Sequence, residues 1–219
     1  MNSLSRIAIS IVAIVLGFST VAVAGPPLIC HPIAIGQAKS LPWVDLSYRK
    51  GDGGYDLKNL TPDTLAILDT NPSVLVRMET LRRATIYARK DPQVAKELLA
   101  RLRARAANAG NAAGLAWFDV GYLAETYKRW MGDGPNPARG LDGYGWVKKA
   151  IGLRGSDAEM EFAAALIAFT VSESDRNLHA EKAMAGAKTD PLLAQNLASF
   201  FNHETIAEML THPADELRK

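Results

Sequence analysis

Few residues in this chain have the type and spacing that chemistry demands. The single cysteine, Cys30, sits directly before a histidine in "AGPPLICHPIAIG" (residues 24–36). A thiol beside an imidazole suits a reactive thiolate, a metal or haem ligand, or a lipid attachment point. Covalent haem requires C-x-x-C-H, and only its second half is present. A structural zinc site takes four ligands in spaced pairs, and there is no second Cys. Lipid attachment requires small residues before the Cys, where Ile29 stands instead. A thiol nucleophile with a distant His stays open. The plainer expectation is an extended segment, fixed by Pro27 and Pro32, in which Cys30 packs as a small hydrophobe. Cys30 with His31 is thus the thiol candidate.

Other groupings fit less well. In "NHETIAEM", His203 and Glu204 lack the second His four residues on that a zinc-binding helix needs. Ala207 occupies that position, and Glu208 lies five residues from His203. His179 and Glu181 fall on different helix faces, as do Glu159 and Glu161. Asp52 and Asp56 flank glycines in "KGDGGYD" without the alternating carboxylates of a calcium loop, so a turn is expected there. No phosphate-cradling loop, dinucleotide fingerprint or nucleophile elbow is present. No cofactor or metal is implied.

Charge is more informative. Nine basic residues and three acidic ones lie between Arg77 and Arg105, while eleven acidic residues face five basic ones from Ser156 to the end. The overall +2 therefore conceals a polar molecule. If "DP" at 91–92 joins two helices as a hairpin, Arg82, Arg89, Lys96 and Arg103 converge on one exposed surface. Such a surface attracts an anionic partner. Outside the cytoplasm that means an anionic envelope component or an acidic protein rather than nucleic acid.

The elements that would position these residues are helices. Xaa-Pro starts recur at Thr61-Pro62, Asn71-Pro72, Asp91-Pro92 and Asp190-Pro191, with the residue before each proline as the cap. "NPSVLVRMETLRRATIYARK" carries Val74, Met78, Leu81, Thr85 and Ala88 on one stripe. "DPQVAKELLARLRARAAN" carries Val94, Leu98, Leu102 and Ala106, so both segments predict amphipathic helices. "AAGLAWFDVGYLAETYKRWM" and "SDAEMEFAAALIAFT" are apolar nearly all round and predict buried helices, the second capped by Ser156 with Glu159 three residues on. Further helices are expected in "YGWVKKAIGL", "DRNLHAEKAMAGA", "DPLLAQNLASFF" and "HETIAEML".

The fold class is therefore all-α, with helical hairpins stacked as a short α-solenoid or αα-bundle over residues 61–219. An irregular Pro/Gly-rich arm over 25–60 precedes it. The Asp-Pro breaks resemble those closing tetratricopeptide repeats. With Pro92 or Pro191 in the closing position, however, no Trp, Gly and Tyr fall at the required upstream places, so the likeness is one of architecture.

The first 24 residues have the layout of a secretory signal peptide: Arg6, an apolar run from Ile7, then Ala22-Val23-Ala24 before Gly25-Pro26-Pro27. No later apolar run reaches membrane length. With a single Cys no internal disulfide can form, so the 48% hydrophobic content must supply the core. The expected protein is exported to a bacterial periplasm or exterior, and binds or scaffolds rather than catalyses. A thiol-dependent envelope protein using Cys30 and a hydrolase with a groove site are the alternatives. Intact-mass measurement of the exported form should give a chain beginning at Gly25. A mass retaining residues 1–24 would mean an anchored protein.

Overall fold

Asp-Pro is a local instruction that needs no help from the rest of the chain. The Asp91 carboxylate accepts from the Gln93 and Val94 amides while Pro92 fills the first helical position, and Asp190-Pro191 does the same for Leu192 and Leu193. Each cap contributes about 1 kcal/mol. The computed structural model describes residues 27–44, 51–110, 113–132 and 134–201. Among these there are nine helices and no strand. They are α1 (Pro27–Cys30), α2 (Leu60–Thr70), α3 (Val74–Ala88), α4 (Pro92–Asn108), α5 (Ala113–Trp130), α6 (Gly143–Arg154), α7 (Ala158–Ala168), α8 (Glu173–Ala187) and α9 (Pro191–Phe200). None of the described helices is long and apolar enough to cross a membrane. The helix expected in "HETIAEML" lies outside the described residues.

α5 is the hub. It packs against α1, α3, α4, α6 and α7, burying Phe118, Tyr122 and Tyr127 completely. α5 and α6 approach unusually closely: a Cβ on Gly121 would lie 2.7 Å from the Gly143 carbonyl oxygen, and one on Gly143 would lie 2.6 Å from that of Gly121. α7 and α8 form the other large helix pair. α3 and α4 meet each other over less surface than either shares with α5, so the Asp91-Pro92 turn does not make a simple hairpin.

The sequence expectation fails at several places, each for a physical reason. α3 is not a surface amphipathic helix. All of its residues except Arg83 are buried, Arg77, Glu79 and Arg82 among them. Their charges are paired inside, which hydropathy cannot register. Thr61 is not a cap. α2 begins at Leu60, and Thr61 is buried within its first turn. Asn71-Pro72 does not open α3 either. The helix starts at Val74, where the Glu159 carboxylate of α7 accepts from the Val74 and Leu75 amides at 2.6 and 3.1 Å. Glu159 is thereby taken from the capping box predicted with Ser156, and Asp157 caps α7 through the Met160 amide. Burial raises the Glu159 pKa against the opposing pull of those two amides.

The described part of the arm joins the core, and residues 27–30 form a helical turn where an extended segment was expected. Leu28, Ile29, Cys30, Ile33 and Leu41 are all core residues, α1 packs on α5 and α7, and Leu57–Asn59 makes a 3₁₀ turn leading into α2. A stretch this irregular has backbone groups that no helix ladder satisfies. Charged side chains of α3 satisfy them instead. The Glu79 carboxylate accepts from the Ile33 amide at 2.9 Å, the Arg82 guanidinium donates to the Ile29 carbonyl at 3.1 Å, and that of Arg83 donates to the Leu41 carbonyl at 2.6 Å. Glu79 is in turn held by Arg82 and Arg83, both at 2.7 Å. From α9, Asn196 grips the other side of the arm, accepting from the Ala34 amide and donating to its carbonyl.

Removing one partner from a buried ion pair costs about 3–5 kcal/mol, whereas a half-exposed pair is worth about 0–1 kcal/mol. Glu79→Ala should therefore lower unfolding free energy in urea by several kcal/mol. Arg154→Ala, which removes the surface pair with Asp157, should lower it by less than about 1 kcal/mol. Equal losses would show that the Glu79 pair is not part of the core.

Candidate functional site

Cys30 ends α1 in the core and is 6% exposed. His31 is half-buried, its ring tilted against that of Phe200 in α9 at 5.2 Å between centroids. A reactive thiol needs solvent access and an electropositive surround. Cys30 has no such access; its neighbours in sequence, Leu28, Ile29 and Ile33, are buried with it. His203, Glu204 and Glu208 lie outside the described residues. Glu181 is exposed while His179 is buried, on the separate faces their spacing implied. Asp52 and Asp56 accept from the Gly54 and Lys58 amides and serve as turn residues. Among the described residues, no three His, Cys, Asp or Glu side chains are grouped as a metal ion would require.

The basic surface has to be redrawn. Arg82 is fully buried and cannot belong to it. Arg77 is buried against Asp119, Arg83 is committed to Glu79, and Arg105 pairs with Asp69. Of the nine basic residues between 77 and 105, those left exposed are Arg89, Lys90, Lys96, Arg101 and Arg103. Lys96 and Arg103 are seven residues apart on α4, two turns along one face. Their charge runs on into aromatic side chains of the next helices. Arg103 lies over the Trp146 ring of α6 at 6.0 Å, and Lys149 lies over Trp117 of α5 at 3.6 Å. Trp117 and Trp146 face each other at 6.0 Å. Arg89 covers Trp130 at the far end of α5, at 5.2 Å. Composition registered the positive charge. The interleaved tryptophans were missed because the cations and rings come from different helices.

One constellation escaped the sequence altogether. His179 of α8 meets the Glu161 carboxylate of α7 through Nδ1 and the Tyr144 hydroxyl of α6 through Nε2, the latter at 2.9 Å. Asp175 also lies 3.1 Å from that hydroxyl, and Lys182 reaches Glu161 at 3.3 Å. The order carboxylate, imidazole, hydroxyl is that of a nucleophilic relay. Burial, then the hydrogen bond to Asp175, push the phenol of Tyr144 well above its ordinary pKa, so the hydroxyl stays neutral. The network holds its proton and ties α6, α7 and α8 together. Individual sequence positions could not reveal it, since 144, 161 and 179 become neighbours only once three helices pack.

Among the described residues, two surface clefts stand out. One, of about 490 Å³, lies along Glu125, Lys128, Leu141, Asp142 and Tyr144. There Glu125 accepts from the Tyr144 amide at 2.9 Å and pairs with Lys128 at 2.5 Å, so its charge is already committed. The other, of about 480 Å³, is walled by α2, α3, α4 and α5 and includes Leu68, Arg77, Arg105, Leu115 and Asp119. In it Arg77 donates to Asp119 at 2.6 Å and to the Leu68 carbonyl at 2.5 Å. Burial raises the Asp119 carboxyl to about 6, with Arg77 pulling the other way.

No protein-family model matches this chain, and no curated protein or solved structure matches it either.

Because Cys30 is packed, native protein should react with a thiol reagent far more slowly than denatured protein. Cys30→Ala should cost on the order of 1 kcal/mol for the small group lost. Rapid labelling of the folded chain would restore the thiol as a functional candidate.

Proposed function

We propose that this is an exported helical binding protein of the cell envelope that holds an anionic partner, an envelope polyanion or an acidic protein, on the aromatic–basic face of α4, α5 and α6. The observation that carries this reading is the array in which Arg103, Trp146, Trp117 and Lys149 stand in sequence across three helices. A cation resting on an indole face gains about 0.5–1 kcal/mol at an exposed site and loses part of its rotamer freedom before any partner arrives. Its charge stays available, because a ring quadrupole does not neutralise it as a carboxylate would. Arg89 over Trp130, at the other end of α5, is a separate pair of the same kind.

Export rests on the N-terminal 24 residues, and a stacked-hairpin architecture on the Asp-Pro breaks of the sequence. The binding reading rests on neither. It is favoured over thiol chemistry by the burial of Cys30.

Exposed charges contribute little to stability but strongly to salt-dependent association. The triple change Arg89→Glu, Lys96→Glu and Arg103→Glu should leave the thermal midpoint within a few degrees of the parent. It should abolish retention on a polyanion matrix at low salt. Retention of the parent protein should itself fade as the screening length drops below about 10 Å, near 0.1 M salt. Unchanged retention of the triple variant would remove the basis of the proposal.

A further inference from the structure

We infer that the cleft between α2, α3, α4 and α5 is a binding site for a small monocarboxylate with an aliphatic body. The cleft lies apart from the aromatic–basic face: Arg105 and Arg103 are two residues apart on α4, as are Asp119 and Trp117 on α5, and that spacing turns them toward opposite sides.

Three residues that line it carry buried polar atoms without a hydrogen-bond partner among the described residues, Arg77 Nε, Arg105 Nη1 and Asp119 Oδ1, closed off from the cleft until the Arg105 side chain swings away from Asp69. Orphan polar atoms are uncommon in buried positions, and three on the wall of one cleft call for a common ligand. Two of them are guanidinium donors. A carboxylate is the small group that best accepts from a pair of guanidiniums, and it does so more strongly than a neutral carbonyl. Leu68, Ala109, Leu115 and Ala116 supply apolar wall for the body of the acid. The volume, about 480 Å³, is at the smaller end of the range for ligand sites, roughly 300–1,000 Å³. Arg105 is the movable wall. Its side chain is 31% exposed, and the Asp69 that holds it is 62% exposed.

Charge balance decides between a monocarboxylate and other anions. The groups facing Asp119 are Arg77 from α3, Arg105 from α4 and Asp69 from α2. Two cations and two carboxylates leave the empty cleft neutral. One incoming carboxylate adds a single negative charge, which one proton on Asp119 cancels. That proton also turns Oδ1 from an acceptor into a group able to donate to the ligand. A dianionic phosphate would leave a charge uncompensated. Asp119 already titrates near 6 because it is buried, and a second carboxylate beside it raises the value further. Binding of the anion therefore takes up a proton, and affinity falls as pH rises above about 6.

The test is an NMR titration of the full chain with sodium hexanoate, following the Ala116 and Asp119 amides at pH 5.5 and pH 7.5, with hexanamide as the neutral isostere. Hexanoate should shift those amides, with affinity lower by on the order of tenfold at the higher pH. Hexanamide should bind weakly and without pH dependence. Arg105→Gln, a change at a partly exposed side chain, should lose hexanoate binding at both pH values. Asp119→Asn should bind hexanoate with no pH dependence. If that variant does not fold, the parent and Arg105→Gln decide the matter alone. Equal affinity at the two pH values, equal binding of hexanamide, or shifts confined to residues away from the cleft would overturn the proposal and leave the orphan atoms to ordinary water.

Discussion

Glu79 is a carboxylate with essentially no solvent exposure, and its two oxygens accept from Arg82, Arg83 and the Ile33 amide. Taking such a charge out of water costs several kcal/mol, which only close, fully hydrogen-bonded partners can offset. Here the partners are shared between helix and arm. Arg82 and Arg83 extend the network to the Ile29 and Leu41 carbonyls, so residues 29 to 41 are stitched to α3 at three backbone points. Trp43 closes the network from above, with both guanidiniums within 5.6 Å of its ring. An irregular arm and an ion-rich helix each present groups that are unfavourable to bury alone. Packed together they satisfy one another.

That exchange makes α3 an internal helix, and most of the remaining architecture follows from it. With the arm on one side, α3 packs its other flank on α5, where Thr85 and Thr126 join at 2.7 Å, and Arg77 reaches Asp119. Its first turn then faces α7, close enough for Glu159 to act as its cap. The basic residues of the segment are divided as a consequence. Arg77, Arg82 and Arg83 serve the interior, while Arg89, Lys96 and Arg103 are left for the outer surface. A charge total over residues 77–105 merges the two groups.

This division shows how far the sequence could be read. The all-helical class and the buried character of α5 and α7 were legible, since periodic apolar residues and Asp-Pro caps are local signals. Glu79 with Arg82 and Arg83 was not legible as a core cluster. Spacings of three and four between a carboxylate and guanidiniums look the same on a solvated helix as on a buried one. Only the second layer of partners, Ile29, Ile33 and Leu41, distinguishes the two cases, and those lie 42 to 53 residues away. Glu159 misled for the same reason, because its spacing from Ser156 satisfies a local cap while its oxygen caps a helix 85 residues earlier. The Tyr144–His179–Glu161 network and the tryptophan–cation array are products of packing between helices, so no single segment announces them.

The central claim is that the arm belongs to the core through Glu79, rather than resting on a finished helical body. Native-state hydrogen exchange of the Ile33 amide, which donates to Glu79, tests this most directly. The account predicts that Ile33 opens only in global unfolding, with an opening free energy within about 1 kcal/mol of the slowest amides of α3 and α5. An Ile33 amide that exchanges through local opening several kcal/mol below those amides, while α3 stays protected, would contradict it.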